Sequence, residues 1–250
     1  MDIRSTFSNK KNFKFDVFLP VIDETISLIK TVEIIEKTSS RYISKYLIVV
    51  SKELTTKNSL NTIIFLKKKY KKKIKLIYQK EKYIGGALKS AIENIESSHF
   101  ILMASDLETN PKDVIRMINK SKESPKKIIT ANRWLKINSF KGYNIFKLIL
   151  NKVFQLFFSI LFSVKLSDLT FAYRIYPSNL IKKLNLKEKK HPILLETMLI
   201  PIKLEVKFVE IPSKWKKRIE GKSNNSFFKN FYYISAGLRI FFLKKKNLVK

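Results

Sequence analysis

Phe100 to Asp113 read FILMASDLETNPKD, an apolar run that gives way to Asp106 and Glu108 and then to Asn110 and Pro111. A short apolar run closed by turn residues predicts a buried strand, with the acids standing where it ends. In an α/β sheet, ligands collect at the carboxyl ends of the strands. Carboxylates delivered there suit a divalent cation and the phosphates it carries. Asp and Pro are also ordinary turn residues, so this segment alone leaves a plain strand exit equally open.

Outward from it, strand and helix patterns alternate as far as Ala131. Residues 15–21 (FDVFLPV), 46–51 (YLIVVS), 74–79 (IKLIYQ), 99–105 (HFILMAS) and 126–132 (KKIITAN) read as short buried strands. Between them, residues 24–38, 58–70, 86–97 and 111–122 carry helical spacing, the last opening with Pro111 in its first turn. This alternation predicts an α/β fold with a mainly parallel sheet covered by helices and a Rossmann-like nucleotide-binding half.

Composition sets outer limits. At 250 residues and 45% apolar content the chain buries a full core, and only residues 1–13 read as a polar leader. The amino terminus lacks the apolar stretch of a secretory signal. Absence of cysteine excludes disulfides and thiolate metal sites. The formal charge is +31, but only seven of the 51 basic residues are Arg, and the abundance of Lys, Ile and Asn matches AT-rich coding. A cationic surface of this kind attracts anionic headgroups or nucleic acid. The run KKKYKKKIK (residues 67–75) lies between a helical stretch and a strand, where solvated lysines are the plain expectation. No nucleic-acid partner is expected.

Two segments depart from the α/β rhythm. Residues 143–166 are largely apolar, yet Lys147, Asn151, Gln155, Ser159 and Ser163 recur every fourth residue and draw one polar stripe along a helix. Residues 226–250 are crowded with Phe and Tyr, broken by Arg239 and followed by Lys244, Lys245 and Lys246. Aromatic rings beside a basic cap suit a membrane interface, whereas neither apolar stretch reaches the ~20 residues that cross a bilayer. Both are expected as amphipathic interface helices, resting on lipid, on a twin subunit or on a small membrane partner.

Eight motifs in order, from about Phe15 to Asn225, resemble family 2 glycosyltransferases of the dolichyl/polyprenyl-phosphate mannosyltransferase type. They are FDVFLPVIDE (residues 15–24), YLIVVSKELTT (46–56), YIGGALKSAIE (83–93), the acidic segment above, ANRW (131–134), SDLTFAYRIY (167–176), the glutamate of HPILLE (191–196) and RIEGKSN (218–224). The resemblance implies a GT-A fold over residues 14–225. It also implies an inverting, metal-dependent transferase moving a hexose, mannose or glucose, from a nucleotide sugar to a polyprenyl phosphate. The place of action would be the cytoplasmic face of a membrane, with peripheral attachment. Asp106 and Glu108 would hold Mg²⁺ or Mn²⁺, and Asp106, Arg133, Arg174 and Arg218 would be catalytic. Pro20, Ile22, Glu24, Ser51, Gly85, Ser105, Asp106, Arg218 and Ser223 would bind the nucleotide sugar. Arg133, Asp168, Thr170 and Arg174 would hold the acceptor phosphate, with Arg218, Gly221 and Ser223 on a mobile loop over the donor. A phosphate oxygen is already anionic near neutral pH and needs no general base, in keeping with only two histidines.

Ala172 takes a Gly place in the Asp-x-Thr-x-Gly-x-Arg pattern of residues 168–174, and the other departures from the family pattern fall on the nucleotide side. Ala104 stands for the first Asp of Asp-x-Asp, Glu108 for a Gln, Ser51 and Lys52 for paired acids, Asp23 for Asn and Asn224 for Lys. They leave two alternatives: a different lipid or glycan acceptor in surface-polysaccharide synthesis, or a glycosyltransferase-like membrane scaffold without turnover.

Overall fold

The computed structural model describes residues 13–220 and 230–250, apart from the side chains of Lys141, Asn230 and Phe231. The expected α/β architecture is present. Strands β1 (Phe15–Val21), β2 (Ile43–Val50), β3 (Ile74–Tyr78) and β4 (His99–Leu102) are joined in parallel by helices α1 (Ile26–Ser39), α2 (Lys57–Tyr70) and α3 (Tyr83–Glu93). After α4 (Val114–Glu123) come β5 (Ile128–Asn132), the short β6 (Phe140–Lys141), α5 (Ile145–Leu161) and β7 (Arg174–Pro177). The chain continues through α6 (Ser178–Lys183), α7 (Pro192–Lys203), β8 (Phe208–Pro212), β9 (Trp215–Lys216) and α8 (Asn230–Phe242).

The main sheet runs β3-β2-β1-β4-β7-β5-β8, and β6 pairs with β9 in a separate ribbon. β7 is antiparallel to both β4 and β5, whereas every other pair in the main sheet is parallel. Because side chains alternate across a strand, Val17, Leu19 and Val21 face a core with Leu28, Val32, Ile63 and Met117. Phe18, Leu47 and Val49 face the opposite core, with Leu88, Met198, Leu199 and Ile240. Two apolar layers thus sandwich the sheet between helices.

Local signals place the helix starts. Thr56 accepts the Ser59 amide at the head of α2, Asn144 accepts that of Lys147 at the head of α5, and Asn110 accepts that of Lys112 ahead of Pro111. Each such cap is worth about 1 kcal/mol. Two glycines mark backbone contact in place of a phosphate cradle. A Cβ on Gly86 would lie 1.8 Å from the Glu81 carbonyl oxygen, and one on Gly85 would lie 2.4 Å from that of Lys189. The Gly85 amide is spent on the Lys189 carbonyl at 2.8 Å. Expected to bind nucleotide, Gly85 serves close packing instead.

The aromatic carboxyl-terminal segment also differs from its expectation. Within α8, Ala236 and Ile240 are buried, and a Cβ on Gly237 would clash with the Phe158 ring of α5. Arg239 reaches Glu188 at 3.0 Å and the fully buried Glu196 of α7 at 2.8 Å. This helix is therefore docked on the body of the protein, with Tyr232, Ile234 and Phe242 exposed among its described apolar residues. In contrast, α5 exposes Ile145, Phe146, Ile149, Val153, Leu156 and Ile160. No helix among the described residues is long and apolar enough to cross a membrane. The lysine run of residues 67–75 is partly neutralised locally: Lys69 pairs with Glu33, Lys73 with Glu36 and Lys75 with Glu96.

Candidate active site

Two charge clusters lie at the carboxyl ends of the central strands. On the first, β4 stops at Leu102, earlier than expected, and the chain continues as a tight loop through Ser105 and Asp106. The Ser105 hydroxyl donates to the Pro20 carbonyl at the end of β1, which binds the loop to the neighbouring strand. Asp106 Oδ1 accepts the Glu108 amide at 3.0 Å, closing a turn with Leu107 at φ +65°. A left-handed backbone at a leucine is strained by roughly 1–2 kcal/mol, and here it aims two carboxylates at one point.

Arg218 fills that point. Its guanidinium donates to Asp106 Oδ2 at 2.9 Å and to Glu108 Oε1 at 2.9 Å. Glu24 stands near enough to act on both Asp106 and Arg218, and it accepts the Ile22 amide at 2.7 Å. Burial, reinforced by the Glu108 charge and only partly relieved by Arg218, pushes Asp106 up to about 6. Burial likewise raises Glu24. Three carboxylates around one arginine leave a surplus of negative charge that a cation would neutralise.

The segment carrying Arg218 is pinned along its length. Ser213 donates to Asp113 at 2.7 Å, Arg116 to the Pro212 carbonyl at 2.6 Å, and Trp215 bridges to Thr109. Glu220, which the sequence reading passed over, seals its end. The amides of Thr25, Ile26 and Ser27 and the hydroxyls of Thr25 and Ser27 all donate to the Glu220 carboxylate, at 2.6–3.1 Å. Those donors outweigh the desolvation of Glu220 and hold its pKa down to about 2. A carboxylate at the head of α1 also meets the positive end of the helix dipole.

The second cluster is a closed pair. Arg133, at the end of β5, donates to Asp168 Oδ2 through its backbone amide at 3.0 Å and through Nε at 2.8 Å. Nη2 donates to Asp168 Oδ1 at 2.8 Å. Phe171 and Phe140 lie over the guanidinium at 4.6 and 5.3 Å. Thr170 accepts from Arg133 at 3.2 Å and stays half-buried at the edge. The polar stripe of α5 points here: Gln155 is buried and bonds to both Leu169 and Thr170.

The remaining expected residues fall as follows. Pro20, Ile22 and Glu24 lie at the end of β1 and in the turn that follows it. Ser51 follows β2, where its hydroxyl accepts the amides of Glu53 and Leu54 within its own turn. Gly221 and Ser223 lie outside the described residues. Arg174, expected to hold acceptor phosphate, requires a correction. It is fully buried in β7, and its guanidinium donates to the Leu169 and Leu194 carbonyls at 2.8 and 2.9 Å and to the Thr197 hydroxyl at 3.1 Å. Its Nε is buried without a partner, and the guanidinium supports from behind the loop that carries Asp168 and Thr170. Neither histidine joins either cluster: His99 opens β4 at the opposite end of the strand, and His191 precedes α7.

As metal ligands, Asp106 and Glu108 offer hard oxygen donors from one turn. Among the described residues no group of three His, Cys, Asp or Glu side chains is assembled to hold an ion. The donor chemistry fits Mg²⁺ or Mn²⁺, which Asp106 and Glu108 would hold in part, since the described residues form no all-protein cage.

Residues 16–184 match the family model described as glycosyl transferase family 2. The chain belongs to that family. Membership makes it a glycosyltransferase. Similar solved structures include glucosyl-3-phosphoglycerate synthase from Mycobacterium tuberculosis in complex with Mn²⁺, UDP-glucose and phosphoglyceric acid. That protein is 10% identical, with 92% of this chain and 80% of that one covered at a TM-score of 0.70. The same enzyme with Mg²⁺ and UDP gives the same identity, coverage and TM-score. With Mn²⁺, UDP and phosphoglyceric acid the figures are 8% identity, 92% and 79% coverage, and a TM-score of 0.68. At such identity the likeness establishes a shared GT-A fold. It does not single out the polyprenyl-phosphate mannosyltransferase type.

Proposed function

We propose that this transferase moves a hexose from a nucleotide sugar to a polyprenyl phosphate at a membrane surface. The observation that carries this reading is the junction of α5 with the Arg133 cluster. One face of α5 presents a long exposed apolar row, while its polar stripe bonds to Thr170 and Leu169 beside Arg133. A lipid phosphate needs both features: an apolar support for its chain and hydrogen-bond donors for its head. The lysine excess of the chain suits anionic lipid.

In this reading the donor lies along the ends of β1 and β4, with its diphosphate toward Asp106, Glu108 and Arg218. Mg²⁺ or Mn²⁺ held by Asp106 and Glu108 supplies neutralisation of the diphosphate charge. Arg218 adds a guanidinium on the same side, and Glu220 fixes where it stands. The acceptor's phosphate oxygen, steered by Arg133 and Thr170, attacks the anomeric carbon as the bond from that carbon to the diphosphate breaks. The electron pair leaves with the nucleoside diphosphate, and the anomeric centre inverts. The attacking oxygen carries its own charge, so no side chain has to remove a proton.

The test is a transfer assay with UDP-glucose and GDP-mannose, each with Mn²⁺, offered undecaprenyl phosphate in anionic vesicles or 3-phosphoglycerate in solution. Sugar on the lipid, stimulated by the vesicles, is expected. Transfer to 3-phosphoglycerate alone, indifferent to vesicles, would overturn the lipid reading.

A further inference from the structure

We propose that Gln155 sets the direction of the Thr170 hydroxyl, so that its single proton is kept for the acceptor anion. This rests on reading Arg133, Asp168 and Thr170 as the place of the acceptor phosphate. Gln155 is then a positioning residue, acting through Thr170 and not on the acceptor itself.

The argument is one of donors and acceptors. The Leu169 backbone amide, which can only donate, lies 2.6 Å from Gln155 Oε1. That contact fixes which end of the side-chain amide is oxygen. Gln155 Nε2 therefore faces the other way, donating to Thr170 Oγ1 at 2.7 Å and to Asn151 Oδ1 at 3.2 Å. Both N–H donors of the amide and one of its two oxygen lone pairs are used, and its burial prevents water from replacing these partners.

Thr170 Oγ1 thus receives Gln155 Nε2. It also receives Arg133 Nη2 at 3.2 Å, and a guanidinium likewise can only donate. A hydroxyl has two lone pairs and one proton, and these two obligate donors take both lone pairs. Its remaining neighbour, Asn151 Nδ2 at 3.5 Å, is a third donor at the limit of bonding distance. Among the described residues the Thr170 hydroxyl donates to no group. Half-buried at the rim, its proton is directed to whatever occupies the cluster's open side. An oxygen of an anion is the complementary ligand. The middle of the polar stripe, Asn151, Gln155 and Ser159, is thus the inner face of a helix that orients a hydroxyl, whereas Lys147 and Ser163 at its ends are exposed.

Gln155→Glu tests this directly, because it keeps the shape and reverses the polarity. A carboxylate still accepts the Leu169 amide but cannot donate to Thr170, so the hydroxyl turns its proton inward. Gln155→Met leaves the hydroxyl free to rotate, and Thr170→Val removes it. The readout is the Kd for undecaprenyl phosphate in detergent micelles and, separately, for 3-phosphoglycerate, followed by the fluorescence of Trp134 beside Arg133. Melting temperature and the UDP–Mn²⁺ thermal shift serve as controls. Gln155→Glu is expected to weaken phosphate binding about tenfold or more, and Gln155→Met less, with the UDP shift unchanged. Lowering the pH should restore binding in Gln155→Glu relative to the unaltered protein, since a protonated glutamic acid can donate again. A purely structural role would give no such recovery.

If Thr170→Val weakens binding while Gln155→Glu and Gln155→Met stay within about twofold of the unaltered protein, less than the smallest usual hydrogen-bond contribution, the inference fails and the acceptor reading stands. If Thr170→Val also leaves both ligands unaffected, the acceptor reading itself fails. Should Gln155→Glu not fold, Gln155→Met decides alone: binding equal to the unaltered protein overturns the proposal.

Discussion

The two arginine–carboxylate clusters at the rim of the sheet are built from the same chemistry and arranged for opposite ends. Around Arg218, Asp106 and Glu108 share one guanidinium, with Glu24 close by, so negative charge is in surplus. Around Arg133, one carboxylate meets one guanidinium through two parallel bonds, with two phenyl rings over it, and the charges balance in a dry setting. The first cluster is under-neutralised and open to exchange with a cation; the second is a charge-balanced frame, open at the edge where Thr170 stands. Charge count, more than proximity, distinguishes a site that exchanges cations from a brace that frames an anion's place.

That contrast can be broken most severely at Asp106. Asp106→Asn removes a charge from a surplus, so the fold should tolerate it. Turnover should fall by roughly 10²–10³-fold, the scale on which a preorganised electrostatic group contributes to catalysis. Steady-state kinetics across a Mn²⁺ series, beside a melting curve, check both halves. Retained turnover would mean that the surplus charge is incidental.

Arg133→Met should cost stability as well as turnover. It strands Asp168 as a buried, unpaired carboxylate, which costs about 3–5 kcal/mol and should appear as a large fall in denaturant midpoint. A fall no larger than that of Asp106→Asn would erase the distinction between brace and exchange site.

Glu220→Gln should be the mildest, lowering donor affinity a few-fold by loosening the seat of Arg218. Its pH dependence carries the sign of a depressed carboxylate. The folded state holds Glu220 at about 2, against an ordinary value of 4.5. Its contribution is full above about 4.5 and fades as the pH falls toward 2. The melting-temperature gap between Glu220→Gln and the unaltered protein should thus be constant from pH 8 to 5 and shrink at pH 3.5. A gap that widens on acidification would contradict the bonding at the head of α1.

Much of this arrangement was legible in the chain. Asp106 and Glu108 were exposed as candidates by a strand ending in acids, and Arg133, Asp168 and Thr170 by motif order. Arg174 misled because motif spacing does not reveal which way a strand residue faces. β7 is central and buried on both faces, so no polar alternation marks the side on which Arg174 and Tyr176 lie. The carboxyl-terminal aromatics read as an interface, yet the small Ala236 and Gly237 let α8 settle on α5 and α7. Glu220 was invisible because its partners lie about 195 positions earlier at the head of α1. Gln155 was noticed only as part of a stripe; which side of that stripe met protein depended on the loop before β7.

The reversed direction of β7 has a consequence for how such a protein diversifies. Parallel strands run up to the rim and the chain leaves the sheet there, whereas β7 comes down from it, so the stretch that precedes β7 is a separate arrival at the same place. Donor-side groups travel with the outgoing chain, and Asp168, Thr170 and α5 travel with the incoming one. Lengthening or replacing the passage between β6 and β7 would retool the acceptor half while the sheet order and the nucleotide half stay as they are.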